Sequence, residues 1–294
     1  MQSESASALP KGRLSRMNTA RIEPITASDM AAVAHYLAPT FDYARSEEQW
    51  RRVLQWMIDL DPPNLGFQLI ADGRIVGAFL AIYQDVGDAT VCHLSAWLVD
   101  EAYRMQSLPL FRALLQQDVD AFTDYTPAPH VRPINRRLGF RDLETTAYRV
   151  WNFRWPGAPR GVQVVTEAEE IEKLLTGPDL RAFLDHRGIP DVGQLVIVDG
   201  DRVCLVVYRT MEGRLTRSRL LDASDRELFL KALGPVLWRI GWRLRSPFTT
   251  AEARILGGHP SLSITADAVP RQYKSERVPE SSVTELYSSL VWSR

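Results

Sequence analysis

The chain of 294 residues has little cysteine, little lysine and no long apolar run. Its two cysteines, Cys92 and Cys204, lie within apolar strand-like segments, so we expect small buried side chains and no disulfide framework. The five histidines lack the spacing of metal ligands and there is no Cys-x-x-Cys pair, so no zinc site is expected. No segment has the length of an apolar membrane span.

Charge of neither sign dominates. The 35 basic and 36 acidic residues give a net charge of −1, which argues against nucleic acid or a membrane surface as a partner. Residues 1–20 are rich in Ser, Ala and Arg but lack the apolar core of a signal peptide. They are predicted to be a disordered tail of a cytoplasmic protein.

The most informative stretch runs from Val91 to Gln117. Alternating apolar side chains over Val91–Val99 predict a strand, and an amphipathic helix follows, with Leu110, Phe111, Leu114 and Leu115 on one face. The first N–H groups of a helix lack internal partners and the helix dipole is positive there, so this helix start is suited to a pyrophosphate. Ser107 is predicted to be its N-cap.

Signals on both sides of this stretch predict alternating helices and strands. Ser46–Gln49 is a capping box that begins a helix, and Asp72-Gly73 between two apolar runs predicts a β-hairpin. After the central helix, a short strand ends at Tyr125. A helix over Val131–Arg137 comes next. A long strand over Leu143–Trp155 is predicted to close the first half.

This order of elements resembles that of the GNAT superfamily of acyl-CoA N-acyltransferases. Two local motifs resemble the same superfamily. Arg104–Pro109 stands where the superfamily has its acyl-CoA-binding turn, Arg/Gln-x-x-Gly-x-Gly/Ala, and Leu138–Arg141 resembles its final helix–strand junction. The turn departs from the pattern at Ser107 and at Pro109, which has no N–H to donate.

The second half repeats the plan weakly after a linker at Pro156–Gly161. Leu195–Gly200 echoes Gln68–Gly73, but the segment equivalent to the phosphate turn, Leu221–Asp225, carries two carboxylates that would repel pyrophosphate. Ser224–Glu227 is instead a capping box that predicts a helix start.

The chain is therefore predicted to be an α/β protein of two tandem GNAT-like domains, each a mixed, centrally splayed sheet flanked by helices. Residues 21–158 would form the domain with the acyl-CoA site. Residues 159–294 would form a divergent second domain that lacks the phosphate turn.

The resemblance implies a set of site residues. The acyl–pantetheine arm would lie between the central strand and the next parallel strand, and the pyrophosphate would face the turn. The cofactor-binding residues implied are Leu98, Val99, Arg104, Met105, Gln106, Ser107, Leu108 and Leu110. The tyrosine that protonates the leaving thiolate in many members falls on Asn135, which can donate a hydrogen bond but cannot act as a general acid.

Other residues near the expected site could manage protons instead. Asp124 and Tyr125 rank first, because functional sites gather at strand ends beside a sheet opening. His93 on the central strand follows as a base, and His130 lies in the next loop. Each also has a purely structural interpretation: a turn former, a packing residue, a half-buried strand residue and a solvated loop residue, respectively.

The expected activity is transfer of an acyl group, acetyl by default, from acyl-CoA to an amine, without a metal. Two alternatives stay open: a catalytically silent binding or scaffold protein, and an acyltransferase that uses an acyl carrier protein or a long-chain acyl donor. The acceptor would be a small molecule or another amine, and a homodimer is an open alternative. Divergent two-copy proteins that this chain resembles occur in bacteria.

Overall fold

The structure, a computed structural model, describes residues 20–39, 45–143, 145–153, 157–211, 215–266 and 270–292. These residues form two seven-stranded mixed sheets with helices packed on them. Residues 1–19 of the predicted tail lie outside the described residues. So do residues 154–156, where the predicted strand ends and the predicted linker begins.

The first half of the chain follows the predicted order. Its strands and helices are β1 (Arg21–Pro24), α1 (Met30–Leu37), α2 (Glu47–Asp59), β2 (Gly66–Ala71), β3 (Arg74–Val86), β4 (Ala89–Val99), α3 (Ser107–Leu115), β5 (Ala121–Asp124), α4 (Arg132–Arg137), β6 (Arg141–Asp142) and β7 (Ala147–Trp151). Two 3₁₀ helices, Ala27–Asp29 and Glu101–Gln106, precede α1 and α3.

The second half repeats this order. Its elements are β8 (Val162–Val165), α5 (Ala168–Leu174), α6 (Gly177–His186), β9 (Val192–Asp199), β10 (Arg202–Met211), β11 (Arg217–Ala223), α7 (Arg226–Lys231), α8 (Leu233–Leu244), β12 (Phe248–Glu252), α9 (Ala253–Leu256), β13 (Ser263–Ala266) and β14 (Gln272–Ser275), with 3₁₀ helices at Glu280–Ser282 and Ser289–Val291.

Short-range signals in the sequence form the expected local structures. The Ser46 hydroxyl accepts from the Gln49 N–H (3.2 Å) and the Gln49 side chain accepts from the Ser46 N–H (2.9 Å), which confirms the capping box of α2. Asp72 and Gly73 join β2 to β3 with φ of 50° and 73°. Two consecutive positive φ values are those of the hairpin turn that Asp-Gly predicts.

The two sheets exchange one strand each. The first has the order β1-β2-β3-β4-β5-β14-β6 and the second the order β8-β9-β10-β11-β12-β7-β13. The prediction that a long strand over Leu143–Trp155 closes the first half is therefore wrong. The strand is shorter, and it lies in the second sheet between β12 and β13.

Burial explains the place of each exchanged strand. In β7, Val150 is fully buried in the apolar core of the second sheet. In β14, Gln272 pairs with Asp124 of β5 on one side and with Asp142 of β6 on the other. Each sheet therefore contains strands from both halves of the chain. The predicted domain boundary between residues 158 and 159, which was drawn from the weak sequence repeat, stays a prediction.

A charged cluster buried between the sheets joins them to residues 283–292, here called the C-terminal segment. Glu285 is fully buried and accepts two hydrogen bonds from Arg219 of β11, at 2.9 Å each, and another from Arg271, next to β14. Arg271 also pairs with Glu252 at the end of β12. Burial alone would raise the pKa of Glu285, but the arginine charges outweigh it and hold that pKa below its ordinary value.

Removing the charge of Glu285 should unfold the protein more easily. In Glu285→Gln the Arg219 guanidinium loses its carboxylate partner and Arg271 keeps only Glu252. We expect a loss of about 3–5 kcal/mol in the free energy of unfolding, measured in urea. The matched control is Glu172→Gln, which breaks the exposed pair with Arg187 and should cost less than about 1 kcal/mol. Equal effects of the two variants would contradict the structural role of the buried cluster.

The strand exchange should make the halves depend on each other. Fragments 1–158 and 159–294, expressed together, should copurify, because each supplies the strand that the other sheet lacks. Fragment 1–158 alone should self-associate, since β5 and β6 lose the strand between them and β7 exposes apolar surface. A monodisperse, folded fragment 1–158 in light scattering would show that the exchange is dispensable.

Candidate functional site

Two parallel strands of the first sheet separate at its centre. β4 and β5 pair up to Leu94 and Asp124, and β4 then continues to Val99 without β5. Phe79 of β3 pairs with Trp97 but Ala81 pairs with Leu94, so β4 carries one extra residue, a β-bulge. The space beyond Leu94 and Asp124, here called the opening, leaves one backbone edge of β4 free.

A carboxyl and an amide meet where the opening begins. Asn135 of α4 donates from Nδ2 to Asp124 Oδ2 (2.9 Å), and the Thr126 N–H donates to Asp124 Oδ1 (3.3 Å). Asp124 is 8% exposed and Asn135 is fully buried. The structure thus brings together two of the predicted catalytic residues.

Burial raises the pKa of Asp124 to about 6, although the hydrogen bonds from Asn135 and Thr126 oppose the shift. A carboxyl group that changes charge near neutral pH suits a general base. Asp124 is therefore the described residue of the opening that is best placed to exchange a proton.

The other two predicted catalytic residues lie on the opposite face of the sheet, because side chains alternate along a strand. His93 is fully buried between Thr123 (Nδ1 to Oγ1, 2.7 Å) and Gln84 (Nε2 to Oε1, 3.1 Å). Burial lowers the pKa of His93 to about 3, so the ring is neutral at neutral pH.

The hydroxyl of Tyr125 is already engaged. It donates to the backbone carbonyl of Thr284 (2.7 Å), its ring lies under the Arg271 guanidinium, and burial raises its pKa. The role of general acid stays a prediction for Tyr125. His130, in contrast, is exposed in the loop after β5.

The C-terminal segment covers this opposite face of the opening. The Thr126 and Ser289 hydroxyls are 3.3 Å apart, and residues 289–291 lie against β4. Leu290 belongs to the same buried apolar cluster as Val91 and Tyr125. The opening is therefore closed on the His93 side, and its other side faces α3 and α4.

The predicted phosphate turn is a 3₁₀ helix that continues into α3. The N-cap of α3 is Gln106 and not Ser107, and the Ser107 N–H donates to the Arg104 carbonyl. The prediction of a Ser107 cap is wrong because residues 101–106 already form helical turns. The 3₁₀ helix begins at Asp100 and Glu101, and Arg104 pairs with Glu101 (2.9 Å) at the surface.

The implied cofactor residues differ in exposure. Met105 is 88% exposed and Leu108 37%, whereas Leu110 is fully buried and cannot offer its side chain to a ligand. Leu98 and Val99 pair with β3 on one side only, so their other edge faces the opening. Their assignment as cofactor contacts stays a prediction.

The second sheet has an equivalent opening without an anion site. β11 and β12 pair at Ser218–Thr249 and Arg219–Thr250, and β11 carries a bulge farther along. The cap of α7 is Asp225, which accepts from the Leu228 N–H (3.0 Å). A helix does start here, but the predicted capping box of Ser224 and Glu227 is wrong, because the Ser224 hydroxyl bonds to Leu205 and Asp179 and Glu227 pairs with Arg202.

The described residues lack two features, a metal-binding cluster and a membrane-spanning helix. No group of three or more His, Cys, Asp or Glu side chains among them is arranged to hold a metal ion. No helix in the described part of the chain is long and apolar enough to cross a membrane.

Known proteins match this chain through structure alone. No family model and no curated protein matches it. A GCN5-related N-acetyltransferase from Kribbella flavida has a similar structure (TM-score 0.59, 16% identity, 88% of this chain and 71% of that one). Another, from Anabaena variabilis ATCC 29413, gives a TM-score of 0.57 at 10% identity, over 87% and 72% of the two chains.

These similarities define the class of the protein at the level of its fold. The chain has the GNAT fold in two copies, as the order of elements and the helix–strand junction predicted. The predicted class, α/β with two mixed sheets flanked by helices, is confirmed.

Sequence reasoning missed the bulge in β4 and the residues that reach the opening from far along the chain. Gln272, Thr284 and Ser289 all lie in the second half. No local signal marks them, because strand exchange alone brings them to β5.

The raised pKa of Asp124 predicts a pH-dependent stability. Its folded pKa of about 6 lies above the unfolded value of about 3.9, so the stability present below about pH 4 falls as pH rises through 6. Asp124→Asn keeps an oxygen for Asn135 but cannot ionise. We expect it to match the wild type near pH 4 and to exceed it by about 1–3 kcal/mol near pH 7 in urea unfolding. Parallel stability curves would contradict a raised pKa.

Proposed function

We propose that the protein transfers an acyl group, acetyl by default, from acyl-CoA to an amine at the opening of the first sheet. The observation that carries the proposal is the bulged, free edge of β4 ending beside the Asp124–Asn135 pair. The free edge can pair with the amides of a pantetheine arm. The carboxyl group lies where the thioester end of that arm would arrive.

In this acyl transfer, one proton transfer is assigned to a side chain of the protein. Asp124, ionised above a pH of about 6, takes a proton from the ammonium form of the acceptor. The freed nitrogen attacks the thioester carbon, the C–N bond forms and the C–S bond breaks. The CoA thiolate leaves and takes up the second proton that the attacking nitrogen loses, and the amide product keeps the acyl group. Asn135 holds the carboxyl group in place through its 2.9 Å hydrogen bond.

The closed face of the opening favours a short acyl group. Leu290 and Val291 are 6% and 0% exposed and pack where a longer chain would need to pass through the sheet. A donor would lie on the side of α3 and α4, next to Trp97, which stacks on Phe79 with ring centroids 4.8 Å apart.

A second candidate function is a binding protein without catalysis, or a transferase that takes its acyl group from a carrier protein. The 3₁₀ helix at Glu101–Gln106 favours both, because it moves the helix start away from Ser107 to Asp100 and Glu101, whose carboxylates would repel a pyrophosphate. A donor held by its pantetheine arm alone would not need that site.

Binding and turnover of acetyl-CoA test the proposal. Acetyl-CoA should raise the melting temperature, and Arg104→Glu should weaken its binding about tenfold or more in calorimetry, because a favourable charge near the phosphates becomes repulsive. The matched control is Arg112→Glu, the same charge change on the exposed face of α3, which should bind nearly as the wild type does. Acetyl transfer to primary amines should be lost in Asp124→Asn.

Three results would separate the alternatives. Acetyl-CoA binding without turnover on any amine would support the silent binding protein. Turnover with acyl-pantetheine donors that lack the nucleotide, at the same rate as with acyl-CoA, would support the carrier-protein donor. Equal binding by Arg104→Glu and the wild type would remove the turn from the site.

A further inference from the structure

Two buried oxygens beside Asp124 have no hydrogen-bond partner among the described residues. They are Oδ1 of Asn135 and Oε1 of Gln272, and both side chains are fully buried. Gln272 stands directly opposite Asp124 in the β14–β5 pair, so the two side chains lie on the same face of the sheet. Asn135 reaches the same carboxyl group from α4.

Each amide nitrogen already donates a hydrogen bond, which orients the amide oxygen. Gln272 Nε2 donates to Asp142 Oδ1 (2.9 Å) and to the Arg132 carbonyl (3.2 Å), and Asn135 Nδ2 donates to Asp124. An unmet acceptor in a buried place costs free energy unless a donor arrives there.

Each of the three groups has an acceptor oxygen with lone pairs left over. Asp124 has lone pairs beyond the two that Asn135 and Thr126 occupy. Arg132 and Arg136 of α4 both pair with Asp142. The chemical complement of a carboxylate flanked by two amide oxygens is a group with several N–H donors and a positive charge.

We propose that Asp124, Asn135 and Gln272 form a binding site for a primary ammonium group. Three acceptors match the three N–H donors of such a group, whereas a quaternary ammonium has none. That this ammonium is the acyl acceptor rests on the proposed function, but its binding does not. The acceptor is then a primary amine.

Gln272 is the residue that tests the site, because it comes from the second half and has no role in proton transfer. Gln272→Met keeps the length of the side chain and removes the acceptor. Gln272→Glu keeps an acceptor oxygen and adds a negative charge. The matched control is Gln68→Met, which removes a buried glutamine whose Oε1 also lacks a partner but which lies on β2, away from the opening.

The experiment titrates the full chain with propylamine near neutral pH and follows binding by NMR. Saturable binding is expected for the wild type and for Gln68→Met. It should weaken about tenfold or more in Gln272→Met and tighten in Gln272→Glu. The probe N,N,N-trimethylpropylammonium, with the same charge and no N–H, should not bind at the same site.

The outcomes distinguish this inference from the proposed function. Equal affinity of wild type and Gln272→Met, or equal binding of the quaternary probe, would overturn the site, even in an active acetyltransferase. Absence of any saturable propylamine binding would overturn it as well. Specific propylamine binding in a protein without acetyl transfer would support the site and overturn the transferase. If Gln272→Met does not fold, Gln272→Glu and the quaternary probe still decide.

Discussion

The pairing of β14 with β5 is the contact on which the candidate site depends. β5 has four residues, and β14 pairs with all of them on the side away from β4. Without β14, the strand that carries Asp124 would be a short sheet edge. The same pairing places Gln272 opposite Asp124 and leads the C-terminal segment to the far face of the opening. The acceptor oxygens and the closed face thus both follow from the strand exchange.

Buried charge specifies the register of this exchanged strand. Arg271 directly precedes β14, is 2% exposed, and meets Glu252 and Glu285. A slip of β14 by one residue would turn Arg271 and Gln272 to the opposite faces. The guanidinium would then be buried away from its two carboxylates, which costs several kcal/mol. Even where buried ion pairs add little net stability, the contacts of Arg271 with Glu252 and Glu285 can in this way exclude a shifted register of β14 against β5.

The sequence was sufficient to predict local structures, which depend on residues close together in the chain. The capping box at Ser46 and the turn at Asp72-Gly73 need only residues three or fewer positions apart, and both formed. The cap at Ser107 failed because the preceding turn is helical as well. The place of β7 could not be read from its residues, since an alternating strand fits either sheet and long-range pairing decides. Gln272 was missed for the same reason: its partner Asp142 is 130 residues away.

The two parts of the candidate site differ in how well they fit a donor. The part predicted to bind the pyrophosphate is the 3₁₀ helix Glu101–Gln106. There Arg104 pairs with the exposed carboxylate of Glu101, a contact worth about 1 kcal/mol at most. The free edge of β4 and the acceptor oxygens lie at the other end. A pantetheine arm would pair with that edge in the same way whether it is carried by a nucleotide or by a protein. The proposed chemistry at Asp124 is therefore independent of the carrier, and the choice of carrier depends on the surface around residues 101–108.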